Sequence, residues 1–124
     1  MKFSRVCLTA TFLLFFIVIG ILANANYLDN TASHIINSID GLPNDPFSAA
    51  EEAKNIKTFW EERKIILSFT LSDTSLDGIS LLLDEMLIAI DNSDNEEYQK
   101  ATARLRRAVE SINQLEKISL SNIF

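Results

Sequence analysis

From Val6 to Leu28 the chain carries no charged residue, and within that run Phe12-Leu13-Leu14-Phe15-Phe16-Ile17-Val18-Ile19 is apolar throughout. About 20 such residues in a helix cross the roughly 30 Å hydrocarbon core of a bilayer. A buried helix of a soluble protein would keep a polar side, and this run has none. Residues 6–25, Val6 to Ala25, therefore read as a transmembrane anchor in the lipid bilayer, after a basic tail at 1–5 and before an extracytoplasmic domain at 26–124. Lys2 and Arg5 precede the run and Asp29 is the first charge after it. The positive-inside rule then leaves the amino terminus cytoplasmic and exports the rest. Ala23-Asn24-Ala25 also fits a signal-peptidase site, so a cleaved secretory signal is the competing reading. Both readings export the domain. The run is as long as the longest ordinary signal cores and a helical pattern continues past the site, which favours the uncleaved anchor.

With 124 residues, the chain has room for one small domain and no separate regulatory unit. It carries 11 Lys+Arg against 17 Asp+Glu; setting aside Lys2 and Arg5 leaves 9 basic residues from Asn26 onward and a net charge of −8. Nucleic-acid affinity comes largely from cations that neutralise phosphates, so no nucleic-acid partner is expected. Arg104, Arg106 and Arg107 form a local basic cluster that could hold a phosphate or an acidic partner, although a solvated helix face is the plainer use. Cys7 is the single cysteine, so packing rather than an internal disulfide must hold the domain. Ser4-Arg5-Val6 precede it at the start of the apolar run, where a lipoprotein signal would place small residues at the end of one. Lipidation by that route is disfavoured.

The exported region reads as helices. There are only three glycines and two prolines, and no useful period-two alternation. Apolar residues recur three and four apart: first Leu28, Ala32, Ile35, Ile39 and Leu42, which would let the anchor helix run on. Asp40-Gly41-Leu42-Pro43-Asn44-Asp45-Pro46 then breaks the pattern, with Gly41 near a helix end. A second helix begins near Pro46 with Asp45 as its N-cap and carries Ala49, Ala53, Ile56, Trp60 and Leu67 on one stripe. It should lapse around Phe69-Thr70-Leu71-Ser72. A third follows Asp73-Thr74-Ser75 with Leu76, Ile79, Leu83, Met86 and Ile90 on its stripe, widened by Leu82, Leu87 and Ala89. So wide a stripe predicts neighbours on two sides and hence a central place in the bundle. Asp91-Asn92-Ser93-Asp94 ends it, and Asp94 with Glu97 resembles a capping box for a fourth helix bearing Tyr98, Ala101, Leu105, Ala108, Ile112 and Leu115. The short links favour antiparallel neighbours. The expected fold class is all-α, an N-terminal transmembrane helix followed by a small antiparallel bundle of three to four helices.

A search for chemistry returns no convergent site. The single His34 follows the anchor while Cys7 lies within it, too far apart for a nucleophile and its base. One histidine is also short of a usual zinc set, and a solvent-facing histidine is the simpler expectation than a pH sensor. The stretch Asp91 to Glu97 looks superficially like a calcium loop, but Glu96 stands where the turn needs glycine and Thr102 where it needs glutamate. Asp73, Asp77, Asp84 and Glu85 could in principle pair as an acid and a base, yet nothing selects them for a substrate. No catalytic residue, cofactor or metal ligand is therefore expected. Trp60, the one tryptophan, is a candidate partner contact by residue type and a core residue by its place on an apolar stripe. Leu120, Ile123 and Phe124 are further candidate contacts, because an apolar ending at a terminus that would otherwise fray needs cover.

The basic start, the single anchor, the helix Trp60-Glu61-Glu62-Arg63-Lys64-Ile65-Ile66-Leu67 and the ending Lys117-Ile118-Ser119-Leu120-Ser121-Asn122-Ile123-Phe124 together resemble a family of short bacterial anchored proteins catalogued only as a domain of unknown function. The resemblance covers essentially the whole chain. It implies a helical, single-pass protein of the bacterial cell membrane with no assigned activity, cofactor or catalytic residue, whose members accompany multi-pass membrane proteins. The expected function is a non-enzymatic interaction domain, accessory to another envelope or membrane protein. The alternative is an extracytoplasmic ligand- or ion-sensing domain that uses the acidic link at Asp91 to Glu97.

Overall fold

The computed structural model describes the backbone of residues 2–123 and the side chains of residues 4–114. Four helices follow one another: α1 (Lys2–Asp40), α2 (Pro46–Leu67), α3 (Asp73–Asp91) and α4 (Asn95–Ile123). No strand occurs among the described residues. The expected class is the one observed, with four helices rather than three.

α1 is a single uninterrupted helix with two environments. Up to Leu22 its large apolar side chains stand exposed on every side, from Val6 at 66% to Leu22 at 51%. From Leu28 onward it joins the core through Leu28, Ala32, Ile35 and Ile39. It ends where Gly41 N–H donates to the Asn37 carbonyl at 3.1 Å and Leu42 N–H to that of Ile39 at 3.0 Å. Gly41 is the expected terminator, yet it needs no left-handed backbone, and a Cβ there would meet its nearest atom at an ordinary 3.5 Å.

The remaining boundaries follow from local hydrogen bonding. Asp45 caps α2: its Oδ2 accepts from Ser48 N–H at 3.3 Å and from Ser48 Oγ at 2.9 Å, while Pro46 occupies the first turn, where no backbone donor is needed. α3 starts earlier than the sequence pattern placed it. Ser72 is the cap, its Oγ accepting from Ser75 N–H at 3.2 Å, so Asp73 falls inside the first turn, where the helix dipole favours a carboxylate. Asp94 opens α4 by accepting from Glu97 N–H at 3.1 Å. The expected capping box is half made, since the Glu97 carboxylate turns to Arg104 at 3.5 Å.

The end of α3 holds a feature that composition concealed. Asp94 N–H donates back to the Ala89 carbonyl at 2.9 Å and Ser93 N–H to that of Ile90 at 3.0 Å, the paired reverse bonds of a Schellman ending. Such an ending requires a left-handed residue, and Ser93 supplies it with φ 53. A side chain in that conformation costs about 1 to 2 kcal/mol.

The three short links fold the helices up and down into a closed ring. α1 packs on α2 and α4, and α3 packs on the same two. α3 thus has the neighbours on two sides that its wide stripe predicts, although in a ring it is no more central than α1. Of the residues that widen the stripe, Leu82 and Leu87 are half-buried against the core and Ala89 is buried. The core is the set of predicted stripes: Ala49, Ala53, Ile56, Trp60 and Leu67 from α2, Leu76, Ile79, Leu83, Met86, Ala89 and Ile90 from α3, and Tyr98, Ala101 and Leu105 from α4. On α4 the stripe then advances by four to Val109, which is 3% exposed, and leaves the predicted Ala108 half-buried. Leu115 lies outside the residues whose side chains are described.

The distal end of the ring is tied by Tyr98. Its ring is buried and its hydroxyl donates to the Pro43 carbonyl at 2.7 Å, while Gln99 Nε2 donates to the Asn44 carbonyl at 3.1 Å. Burial, then the nearby Asp45 carboxylate, pushes the phenol above its ordinary pKa, so it remains a donor. Tyr98→Phe should destabilise the bundle by about 1 kcal/mol in chemical denaturation followed by Trp60 fluorescence, the worth of one such hydrogen bond. Ser93→Gly should act in the opposite direction, gaining about 1 kcal/mol by relieving the left-handed side chain. A loss on Ser93→Gly would show that its φ carries no strain.

Candidate functional site

Two regions stand out: the bare half of α1, and the outer surface of the bundle that it carries. In the first, the two threonines near the start need not leave a donor facing an apolar medium. Thr9 Oγ1 donates to the Arg5 carbonyl at 2.9 Å and Thr11 Oγ1 to that of Cys7 at 2.8 Å, so each hydroxyl is satisfied one turn back within the helix. Residues Ser4–Asp40 contain a window long and apolar enough to cross a membrane, and none of that window is buried by the rest of the chain.

Just beyond the apolar run, α1 meets α2 through an aromatic and cationic stack. His34 lies against Phe59 with ring centroids 4.0 Å apart. The Arg63 guanidinium sits 4.8 Å from the Phe59 centroid and 4.9 Å from that of Tyr27. A guanidinium over two ring faces gains cation–π attraction and covers their apolar area. His34 is exposed, as expected of a lone surface histidine, but one face of its ring is occupied. The stack was not anticipated. Its trace in the sequence is the seven-residue step from Tyr27 to His34 and the four-residue step from Phe59 to Arg63, and periodicity does not say that these two faces meet.

The sequence-predicted residues separate into distinct places. Trp60 is 1% exposed, and its indole N–H donates to Ser80 Oγ at 2.9 Å. This corrects its candidacy as a partner contact: the ring is enclosed between helices and presents no surface. Leu120 and Ile123 lie outside the residues whose side chains are described, as does Phe124 altogether.

Of the four acids weighed for catalysis, Asp77, Asp84 and Glu85 are engaged with bases on neighbouring helices, and Asp73 lies in the first turn of α3. Lys57 reaches Asp84 at 2.6 Å, Lys64 reaches Asp77 at 3.8 Å and Arg104 reaches Glu85 at 3.5 Å. Asp84 and its hydrogen bond hold the Lys57 ammonium above its ordinary pKa. The arginine cluster is divided in the same way. Arg106 donates to both Asp40 oxygens, at 2.9 and 3.2 Å, and also reaches Glu110. These exposed pairs each contribute little energy but fix which helix faces meet.

In the acidic link, Asp94 serves as a cap, and among the described residues no three His, Cys, Asp or Glu side chains gather as a metal set. Beside the link, Asn44, Asp45, Pro46, Phe47, Ser93 and Asn95 border an open notch of about 420 Å³ at the distal end. Inside the ring, the space beside Trp60 is about 10 Å³, room for a single water at most.

Among the exposed residues of the bundle are large apolar side chains on α3. Leu81 is 60% exposed and Ile88 58%, seven residues apart on the outer face of α3. Asp84 and Glu85 lie between them and are drawn sideways by Lys57 on α2 and Arg104 on α4. Sequence reading passed over both residues because neither fits the core stripe.

The Arg106 hydrogen bonds hold the Asp40 carboxyl below the usual aspartate range. Its contribution is therefore complete above the unfolded pKa of about 4 and fades as pH falls through the lower folded value. The melting temperature of the native chain should drop on acidification below about pH 4. In Asp40→Asn that drop should be shallower; equal slopes would show that the pair does not couple to folding.

The family model of the domain of unknown function DUF4363 matches residues 15–123. No curated protein and no solved structure matches the chain. The matched region begins within the bare half of α1 and runs through the end of α4, so it takes in all four helices. The chain belongs to the DUF4363 family.

Proposed function

We propose that this chain is a single-pass membrane protein whose extracytoplasmic four-helix bundle is a non-enzymatic interaction domain, accessory to another protein of the same membrane or envelope. The observation that carries the reading is α1: one helix, bare and apolar to Leu22, then part of the core from Leu28. Ten large apolar side chains exposed around one helix are costly in water and match a lipid environment. The basic residues before the run and Asp29 after it support this orientation.

A bundle built on such a helix is held close to the bilayer and can meet a neighbour there. Its interior has no ligand-sized space beside Trp60, and the acids Asp77, Asp84 and Glu85 are occupied by bases, which supports binding by surface rather than chemistry in a cleft. The outer face of α3, with Leu81 and Ile88, is the surface we assign to the partner.

Two measurements test this. Membranes washed at alkaline pH should retain the chain with an intact mass from Met1 to Phe124; a mass that begins at Asn26 would overturn the anchor. Photo-crosslinkers at positions 81 and 88 should then capture one stoichiometric membrane protein that a crosslinker at the α2 position 51 does not. Leu81→Ser combined with Ile88→Ser should abolish capture while changing stability by less than about 1 kcal/mol, as expected of exposed positions. Equal capture from position 51 would remove α3 as the docking face.

A further inference from the structure

The link between α2 and α3 combines exposed apolar residues with backbone and hydroxyl donors that are satisfied internally. Phe69 is 84% exposed, Ile65 69% and Ile66 49%, and no charge occurs between Lys64 and Asp73. The backbone N–H groups of Ser68, Phe69, Thr70 and Leu71 donate to the carbonyls of Lys64, Ile66, Leu67 and Leu67 at 2.9 to 3.3 Å. The hydroxyls of Ser68 and Thr70 donate to the carbonyls of Ile65 and Leu67, and Ser72 is spent on capping α3. Such back-bonding is ordinary at a helix end, but here it also covers both hydroxyls of a turn without charge. A turn that leaves water needs such cover, because each unsatisfied polar group is costly there.

The register of the bundle places this turn beside the apolar run. Arg63 lies over Tyr27, so the two positions share a level on the antiparallel helices α1 and α2. The His34–Phe59 ring pair sets a second level. Phe69, six residues beyond Arg63 and ten beyond Phe59 toward the bilayer, is then level with about residues 21 to 24 of α1 at 1.5 Å per residue. A span from Val6 to Ala25 has its outer end about 2 to 6 Å above that level, a depth that corresponds to the headgroup region and the top of the acyl chains.

We propose that the α2–α3 turn is a second membrane contact, with Ile65, Ile66 and Phe69 seated in the outer interfacial layer of the bilayer that α1 crosses. The inference rests on α1 being transmembrane. The charges nearest the turn are of mixed sign, Arg63 and Lys64 on α2 against Asp73 and Asp77 on α3, with Lys64 and Asp77 paired. The contact is therefore apolar and does not depend on anionic lipid. Phe47, 83% exposed at the opposite end of the ring, is equally bare but faces away from the membrane, and so provides an internal control.

The test uses the full chain, with Cys7→Ser to clear the native thiol, reconstituted in phosphatidylcholine vesicles that contain nitroxide-labelled lipid. An environment-sensitive fluorophore is attached in turn at Phe15→Cys in α1, Thr70→Cys in the turn and Phe47→Cys at the distal end. Quenching at positions 15 and 70 with none at 47 is the expected result. Quenching at 15 without quenching at 70 overturns the contact and leaves the anchor standing. Loss of quenching at 15 as well overturns the anchor and the contact together. Equal quenching at 70 and 47 overturns the contact by showing that the bundle does not stand upright. Adding Ile65→Ser and Phe69→Ser should halve the quenching at 70 or more while leaving position 15 and the Trp60 emission unchanged. Undiminished quenching at 70 would overturn the role given to these side chains.

Discussion

Everything in this structure depends on α1 remaining one helix as it passes from an exposed apolar run into a packed core. Neither proline lies in it, and Gly20, where a Cβ would meet nothing within 4 Å, does not interrupt it. Had the chain broken near Asn24 or Asn26, the bundle would be a tethered unit free to reorient. Instead, Leu28, Ala32, Ile35 and Ile39 lock the upper half of the same helix against α2 and α4. The orientation of the bundle is then set by the covalent geometry of its first element, and the levels of all other elements follow by register.

That register is specified twice. The apolar stripes bring the correct faces inward, but small residues such as Ala49, Ala53 and Ala101 would tolerate some sliding between helices. The ion pairs reduce that freedom. The bases Lys57, Lys64, Arg104 and Arg106 belong to α2 and α4, and the acids Asp40, Asp77, Asp84 and Glu85 that they reach belong to α1 and α3. Bases on one diagonal of the ring and acids on the other favour the observed neighbour arrangement over one with like helices adjacent. Four of the domain's nine cations serve this task, Arg104 and Arg106 of the local arginine cluster among them, so that cluster need not indicate an anionic ligand.

Much of the fold was legible because its helices are amphipathic and their ends are chemically marked. The stripes led by Ala49, Leu76 and Tyr98 emerged from three-four spacing, and Asp45 before Pro46 announced α2. The errors have physical causes. Ser72 and Asp73 are both plausible caps, and only the geometry of the turn decides between them. Ser93 occupies a position where glycine would have been the cue. Ala108 yields to Val109 because a stripe that advances by four rather than three rolls around the helix. The wide stripe of α3 finds its two neighbours in α2 and α4 without a central place, because a ring of four helices has none, and Leu81 and Ile88 lie off that stripe. The site was less legible than the fold. Trp60 drew attention by residue type and proved to be core, while the stack of Tyr27, His34, Phe59 and Arg63 depends on two helix faces meeting, which spacing within either helix cannot reveal.

The uninterrupted α1 also behaves as a lever. If α1 crosses a membrane as proposed, the part from Ala25 to Asp40 would extend about 22 Å beyond it at 1.5 Å per residue, with the ring braced along its length. A tilt of about 20°, ordinary for a single transmembrane helix, would carry its distal end sideways by about 8 Å. Changes in bilayer thickness that alter helix tilt would therefore be converted into lateral displacement of the Tyr98 end of the bundle. A partner docked on α3 would experience membrane strain as a change in position rather than a change in shape.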